Sequence, residues 1–389
     1  MFNVEGRLGH YLYAIAYCIW ILGLLLGYTI FPITFSLVGS FVLASQYITI
    51  FLLIVKLVVD RYYSPRTVVL LTVLISFLIG IGLQTNQLLK FIIFGLLLAG
   101  AKNVNLKKLL QYHAAILAAI MLSVFIGLKL GVISDITHWA REGKFLRHTL
   151  GFRFTTFGPN MLFHFLCIWG YIRGKKISWL ELIFLAGVNQ YYFMYTDTKS
   201  AYYFSLLLLA LLAFIKIFKP NFSENKLIWF ERISLIVCTI IPIVATYLYE
   251  NRTPFLIQLN NFLTGRLYLG YVALTTYKVR LLGQPIIWNT PDIFGNISGA
   301  FLYVDSSFMN MLINFGVIFL ALLLASIWVL SKKNPYRNLY YSLSFIIVLL
   351  HAMWDPQFLE IWYNPFLLFL AVLVSQSPKD IERAGLENK

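Results

Sequence analysis

NNFLTGRLYLGYVALTTYKVRLLGQP (Asn260–Pro285) and VDSSFMNMLINFGV (Val304–Val317) both fall in Arg252–Phe315, the longest polar-bearing interval of an otherwise lipid-like chain. The first puts Arg266, Lys278 and Arg280 on an expected helix rich in Leu, Tyr and Thr. The second sets one carboxylate, Asp305, at the mouth of an apolar run. What surrounds the interval decides the fold. On both sides apolar runs recur, and about twenty such residues make a helix long enough to cross hydrocarbon about 30 Å thick.

Composition agrees. Of 389 residues, 60% are hydrophobic and 12% charged, against about 25% charged in an ordinary soluble domain. The intervals between runs are too short and too apolar to build a soluble domain, so residues 1–389 read as one integral membrane domain. A net charge of +15 would point to nucleic acid in a soluble chain. Here basic cytoplasmic loops facing anionic headgroups account for it, and no nucleic-acid partner is expected. Tyr11–Tyr28 is followed by more spans and by no small-residue cleavage site, so it reads as an uncleaved anchor. Cys18, Cys167 and Cys238 lie inside apolar runs without disulfide or metal spacing and read as packing residues.

The pattern predicts an all-α polytopic protein with about twelve transmembrane helices. They cover residues 11–30, 33–55, 67–86, 88–101, 112–133, 158–172, 177–195, 200–218, 232–250, 306–330, 338–354 and 358–376. A helical outer loop separates the ninth from the tenth. With both termini in the cytoplasm, the inner segments hold 20 of the 31 basic residues, as the positive-inside rule requires. The other eleven are Lys90, Lys129, Arg141, Lys144, Arg147, Arg153, Lys199, Arg252, Arg266, Lys278 and Arg280. Most lie in two outer segments, Ser134–Phe157 and Arg252–Val304. An anionic ligand at the outer leaflet would keep cations there. So would lipid phosphates, or pairing with Asp135, Glu142, Asp292 and Asp305.

Four stretches together resemble the Wzy-type oligosaccharide repeat-unit polymerases of the O-antigen polymerase and ligase family. RHTLGFRFTTFGPNM (Arg147–Met161) is similar to the family's Arg, then Gly-Phe, then Pro-Asn opening a span. TDTKSA (Thr196–Ala201) looks like its Thr-x-(Ser/Thr)-Arg-(Ser/Thr)-Ala turn, with Lys199 for arginine. TGR (Thr264–Arg266) and VDSSFMNMLINFG (Val304–Gly316) complete the set, Ser306 standing where asparagine is usual. The match covers about residues 140–320.

The resemblance implies a GT-C-like membrane glycosyltransferase of the bacterial plasma membrane that makes capsular or exopolysaccharide. It would use undecaprenyl-diphosphate-linked oligosaccharides as donor and acceptor and require no cofactor or metal. Its site would lie on the outer face, in loops 134–157 and 251–305, with membrane lipids, a chain-length regulator and a flippase as further partners. The resemblance puts Arg147, Arg153, Asn160, Lys199 and Arg266 at the diphosphates and glycan, and Asp305 and Arg266 at the chemistry. Lys278 and Arg280, outside the resembling stretches, join the diphosphate candidates as cations of the same outer segment. No Asp-x-Asp pair stands in the first outer loop, in keeping with the metal-independent branch. A ligase of the same family and a lipid-linked oligosaccharide flippase are the alternative readings; no internal repeat of the kind flippases show is present.

The residue types suit such a transfer. Negative charge grows on a leaving diphosphate, and fixed cations aimed at it stabilise the transition state. Arginine does this with a planar fork that grips phosphate oxygens in pairs. If Phe262–Leu282 is one helix, Arg266 and Arg280 stand about 21 Å apart along it, further than one diphosphate reaches. Either the helix breaks or the two serve different anions, Arg266 at one lipid diphosphate and Arg280 at the other. Asp305 is a base for the acceptor hydroxyl, or the cap of the helix entering at Ser306. His148 and His138 are alternatives for acid–base work. His113, His164 and His351 carry no motif, Lys199 reads as the partner of Asp197, and Tyr191, Tyr192, Tyr195 and Tyr268 could stack on sugar rings.

Overall fold

The computed structural model describes residues 4–60, 63–139 and 145–375. The basic residues Arg61, Arg141, Lys144, Lys379, Arg383 and Lys389, with Glu142, lie outside the described residues. The chain is mostly helical. It opens with α1 (Val4–Gly27), α2 (Phe31–Thr34), α3 (Ser36–Val59), α4 (Pro65–Gln84), α5 (Leu88–Ala99) and α6 (Leu106–Lys129). A small antiparallel hairpin follows, β1 (Thr137–Trp139) with β2 (Leu146–His148), His138 opposite Arg147. Then come α7 (Phe157–Arg173), α8 (Trp179–Thr196), α9 (Lys199–Phe218), α10 (Glu224–Leu248), α11 (Pro254–Phe262) and α12 (Arg266–Tyr277). Last are α13 (Ser307–Asn314), α14 (Gly316–Lys333), α15 (Leu339–Ala352) and a 3-10 run over Pro365–Leu373.

Among the described residues seven helices are long and apolar enough to cross a membrane: α1, α3, α4, α6, α9, α10 and α14. Helices α5 and α15 are apolar but shorter. Their starts follow local chemistry. Ser64 caps α4 ahead of Pro65, Asn105 caps α6, Asn338 caps α15, and Ser178 with Glu181 forms a capping box on α8. Exposed Leu37, Leu43, Phe51 and Val58 on α3, and Val69, Val73 and Leu83 on α4, leave apolar faces that water would not tolerate and lipid would.

Three expected elements come out differently. Of the expected span 358–376, the described residues 358–375 form no α-helix; the chain runs irregularly to Asn364 and then winds as a nine-residue 3-10 helix, buried from Pro365 to Ala371. Irregular backbone of this kind persists in apolar surroundings only where protein encloses it, and α5, α6 and α14 pack around it. The run 306–330 breaks at Phe315 into α13 and α14. The expected helix Phe262–Leu282 is also broken: α12 ends at Tyr277, and Lys278 turns to φ +57°.

The last two breaks are one feature. Gly283 and Gly316 both have positive φ, and a Cβ on Gly316 would lie 2.4 Å from Gly283 N. Their backbones touch because neither carries a side chain. The strap 280–284 thereby supplies carbonyls to the open start of α14. Val317 N donates to Arg280 O at 3.0 Å and Ile318 N to Leu281 O at 3.1 Å.

The contacts sort the helix ends into two sets. At one end lie tight turns, where Lys56 pairs with Asp60, Arg173 with Glu181 at 2.8 Å, and Arg337 with Glu224 at 2.7 Å. At the other end the described parts of segments 130–156 and 249–306 meet the turns after α1, α8 and α15. Ile30 N donates to Gly151 O, Arg153 N to Tyr28 O, and Lys90 pairs with Glu360. Every site residue expected from the sequence belongs to this loop end.

Candidate functional site

The turn Thr264–Gly265 is where the site starts. Both residues have positive φ, Gly265 N donates to Asn260 O at 2.8 Å, and Asn260 Oδ1 accepts from Tyr268 N at 2.9 Å. The reversed chain enters α12 at Arg266 itself. Helix α12 then presses on α10 at Gly270, where a Cβ would come within 2.9 Å of Thr246. Arg266 is thus fixed at a helix start with its side chain turned to Asp305: Nε donates to Oδ2 at 2.9 Å.

The three residues Asp305, Ser306 and Ser307 divide three tasks. Ser306, not Asp305, caps α13, its hydroxyl accepting from Met309 N at 3.3 Å. Ser307 donates to Asp355 O at 2.5 Å and accepts from Phe358 N at 3.0 Å, which clamps the turn after α15. Asp305 is left for Arg266. Of the cap and the base that its sequence position allowed, the cap is filled by its neighbour.

Beneath this pair lies a buried polar cluster. Asn160, in the first turn of α7, donates through Nδ2 to Asp355 Oδ2 at 3.0 Å. His351 Nε2 stands 3.8 Å from the same oxygen. Asp355 Oδ1, Asn160 Oδ1, His351 Nε2 and Gln357 Oε1 are buried without a hydrogen-bond partner. Burial pushes the Asp355 carboxyl up to about 7, Arg266 opposing and Asp305 adding to the rise. Tyr303 stands by the same carboxylates. Burial raises its phenol, with Asp305, Glu360 and Asp355 adding.

Sequence reasoning missed Asp355 and His351. A signal was there: HAMWDPQ (His351–Gln357) puts two ionisable groups four residues apart at the end of an apolar run, where such groups are usually functional.

The remaining expected residues take other positions. Arg147 holds the turn between α8 and α9, its Nε donating to Thr196 O at 2.6 Å and Nη2 to Thr198 Oγ1 at 3.4 Å. The first two sequence motifs are therefore bound to each other. Arg153 packs beside Tyr28 with its buried Nε unpartnered. Lys199 is exposed at the start of α9 and, among the described residues, makes no ion pair with Asp197, which caps α8 in the left-handed region. Lys278 and Arg280 are exposed on the strap.

His148 is tied to Asp135 at 2.5 Å, and Leu150 N holds the other Asp135 oxygen at 2.8 Å. Burial and the Arg147 guanidinium hold His138 below the usual imidazole range, Asp292 pulling the other way. A cavity of about 300 Å³ lies between α1, α5 and the turn 359–362, lined by Tyr28, Gln87, Lys90, Glu360 and Trp362; none of Arg266, Asp305, Asn160 or Asp355 lines it.

Arg266, Asp305 and Asn160 are thus brought together through Asp355, and Arg147 binds the adjoining turn. Lys199, Lys278 and Arg280 are exposed at the same loop end, and Arg153 is half-buried beside Tyr28. Among the described residues no three His, Cys, Asp or Glu side chains are grouped to hold a metal ion. Comparison with protein-family models, with curated proteins and with solved structures returns no match.

Proposed function

We propose that this chain is a membrane glycosyltransferase that polymerises lipid-linked oligosaccharide repeats. The frame would be GT-C-like with about twelve spans, both termini in the cytoplasm and the loop end outside, in a bacterial plasma membrane. One observation carries the reading. Arg266 is held by Asp305 through Nε alone, its side chain is 26% exposed, and among the described residues its two Nη groups have no hydrogen-bond partner. A guanidinium fixed by one edge with the other edge open is built to grip an anion in pairs of bonds.

In this reading the growing glycan leaves its undecaprenyl diphosphate for the terminal hydroxyl of a new repeat. Arg266 faces the leaving diphosphate, and Asp305 keeps the fork aimed at it. Each charge-assisted bond to phosphate supplies about 1.5–3 kcal/mol. Arg147 supports the site by fixing the turn at Thr196. Arg153, Lys199, Lys278 and Arg280 lend positive potential at the approach, where anionic headgroups and both lipid diphosphates would lie.

Deletion of the gene in its own host tests the reading. The host should keep single repeats on lipid and lose long polysaccharide, and the wild-type gene but not Arg266→Ala should restore length. Long polymer in the deletion strain, or restoration by Arg266→Ala, would overturn it.

A further inference from the structure

Asp355 has no role in the anion clamp. It is 7% exposed, and its Oδ1 is buried without a hydrogen-bond partner. Carboxylate oxygens are rarely left so, because stripping water from them without replacement costs several kcal/mol. The surrounding groups have been positioned with some care. Asn160 on α7 seats Oδ2, Ser307 at the start of α13 grips the backbone carbonyl, and His351 on α15 stands behind. The charged and titratable groups facing Asp355 are Arg266, Asp305, Tyr303 and His351, with His164 and Tyr363 beyond. Asp305 already accepts from Arg266. Of the two carboxylates, only Asp355 has an oxygen buried without a partner.

We infer that Asp355, seated on Asn160 and backed by His351, accepts the proton of the attacking hydroxyl in the transfer proposed above. The hydroxyl oxygen forms a bond to C1 of the glycan as the bond from C1 to the diphosphate oxygen breaks. The electron pair of that bond leaves on the diphosphate, which Arg266 faces. The hydroxyl proton passes to Asp355 Oδ1, and from the carboxyl group it returns to solvent between turnovers. His351 is a positioning residue in this scheme. Its Nε2 stands 3.8 Å from Asp355 Oδ2, behind the carboxyl and away from substrate.

A carboxyl that titrates near neutrality is well matched to such work. Its sequence position 50 residues after Asp305 gives no hint of the pairing, which only the fold creates.

This inference rests on the polymerase reading, and the test separates the two. Purified protein in liposomes is supplied with lipid-linked repeats extracted from cells lacking the gene, and polymer is measured against pH. Wild-type turnover should fall below neutral pH as Asp355 is protonated. Asp355→Asn should lose a factor on the order of 10²–10⁴. Asp355→Gly should lose as much and be partly restored by formate, which can occupy the vacated space, with the acid limb of the rate moving toward the lower pKa of formic acid. Arg266→Ala should gain nothing from formate. Asp355→Asn within threefold of wild type, or an Asp355→Gly variant indifferent to formate, would overturn the inference and leave the polymerase reading standing. Absence of polymer from the wild-type protein would overturn both.

Discussion

Arg266 Nε donates to Asp305 Oδ2 at 2.9 Å across 39 residues of chain, and the bond uses only one edge of the guanidinium. The turn at Thr264–Gly265 aims the arginine, and Ser306 relieves Asp305 of capping α13. Two loop segments far apart in sequence are thereby joined at one charge pair, directly above the Asp355 cluster.

Lysine cannot copy this arrangement. Its single ammonium would be taken up by Asp305, with no second edge left for an anion. Arg266→Lys should therefore lose about 10–100-fold in polymer formation, the worth of one charge-assisted bond, and Arg266→Ala should lose more. Asp305→Asn keeps an acceptor for Nε and should lose only about tenfold. Initial rates on purified variants decide this, and wild-type rate in Arg266→Lys would mean that the site needs positive potential and no fork.

Gly316→Ala should loosen the strap. Its φ of +87° suits no alanine, and the new methyl would meet Gly283 N at 2.4 Å and Leu281 O at 2.5 Å. Left-handed backbone costs an alanine about 1–2 kcal/mol, and overpacking commonly adds 1–3 kcal/mol (order of magnitude). Thermal unfolding in detergent should move down, and protease should cut near Arg280 more readily. An unchanged midpoint and unchanged cleavage would mean the strap is not docked on α14.

Stability should also vary with pH through Asp355. Its folded pKa is raised from 3.8 to about 7, so the native state holds its proton more tightly than the unfolded chain. That contribution is full below the unfolded value and is lost as pH climbs from about 4 through about 7. The carboxylate form above neutrality strains the fold by an amount on the order of 4 kcal/mol. Asp355→Asn should unfold at a higher temperature than wild type at pH about 8, and the gain should vanish in acid. A variant less stable than wild type in base would mean that Asp355 is a structural ion-pair member.

The proposed orientation, with the tight-turn end in the cytoplasm, makes a labelling prediction. In intact cells, on a background without Cys18, Cys167 and Cys238, an impermeant thiol reagent should label Arg280→Cys directly. Lys219→Cys, at the end of α9 among the tight turns, should need permeabilisation. The reverse pattern would invert the orientation.

Much of this was legible in the sequence, and the reasons are physical. Apolar runs mark helices because each backbone must satisfy its own polar groups in lipid. So the expected 67–86 and 200–218 fall within two residues of Pro65–Gln84 and Lys199–Phe218. The loop-end location of Arg266, Asp305 and Asn160 follows from the same alternation. Their partners do not. Nothing in the sequence reports that Arg147, a candidate phosphate ligand, binds the carbonyl of Thr196; a buried turn needs its acceptors filled as much as a ligand does. Asp355 lies 195 residues from Asn160, and nothing local in either stretch reports the hydrogen bond between them. The break at Lys278 escaped a helical reading of Leu, Tyr and Thr because a tertiary contact, Gly283 on Gly316, ends the helix there.

The most direct measurement is the length of glycan made by the purified chain in sealed liposomes given lipid-linked repeats. The account predicts a ladder of whole-repeat multiples, with one undecaprenyl diphosphate released for every linkage formed. It also predicts that Arg266→Ala leaves only single repeats. Repeats that cross the bilayer yet all remain one unit long, with no diphosphate released, would contradict it and identify a carrier in place of a polymerase.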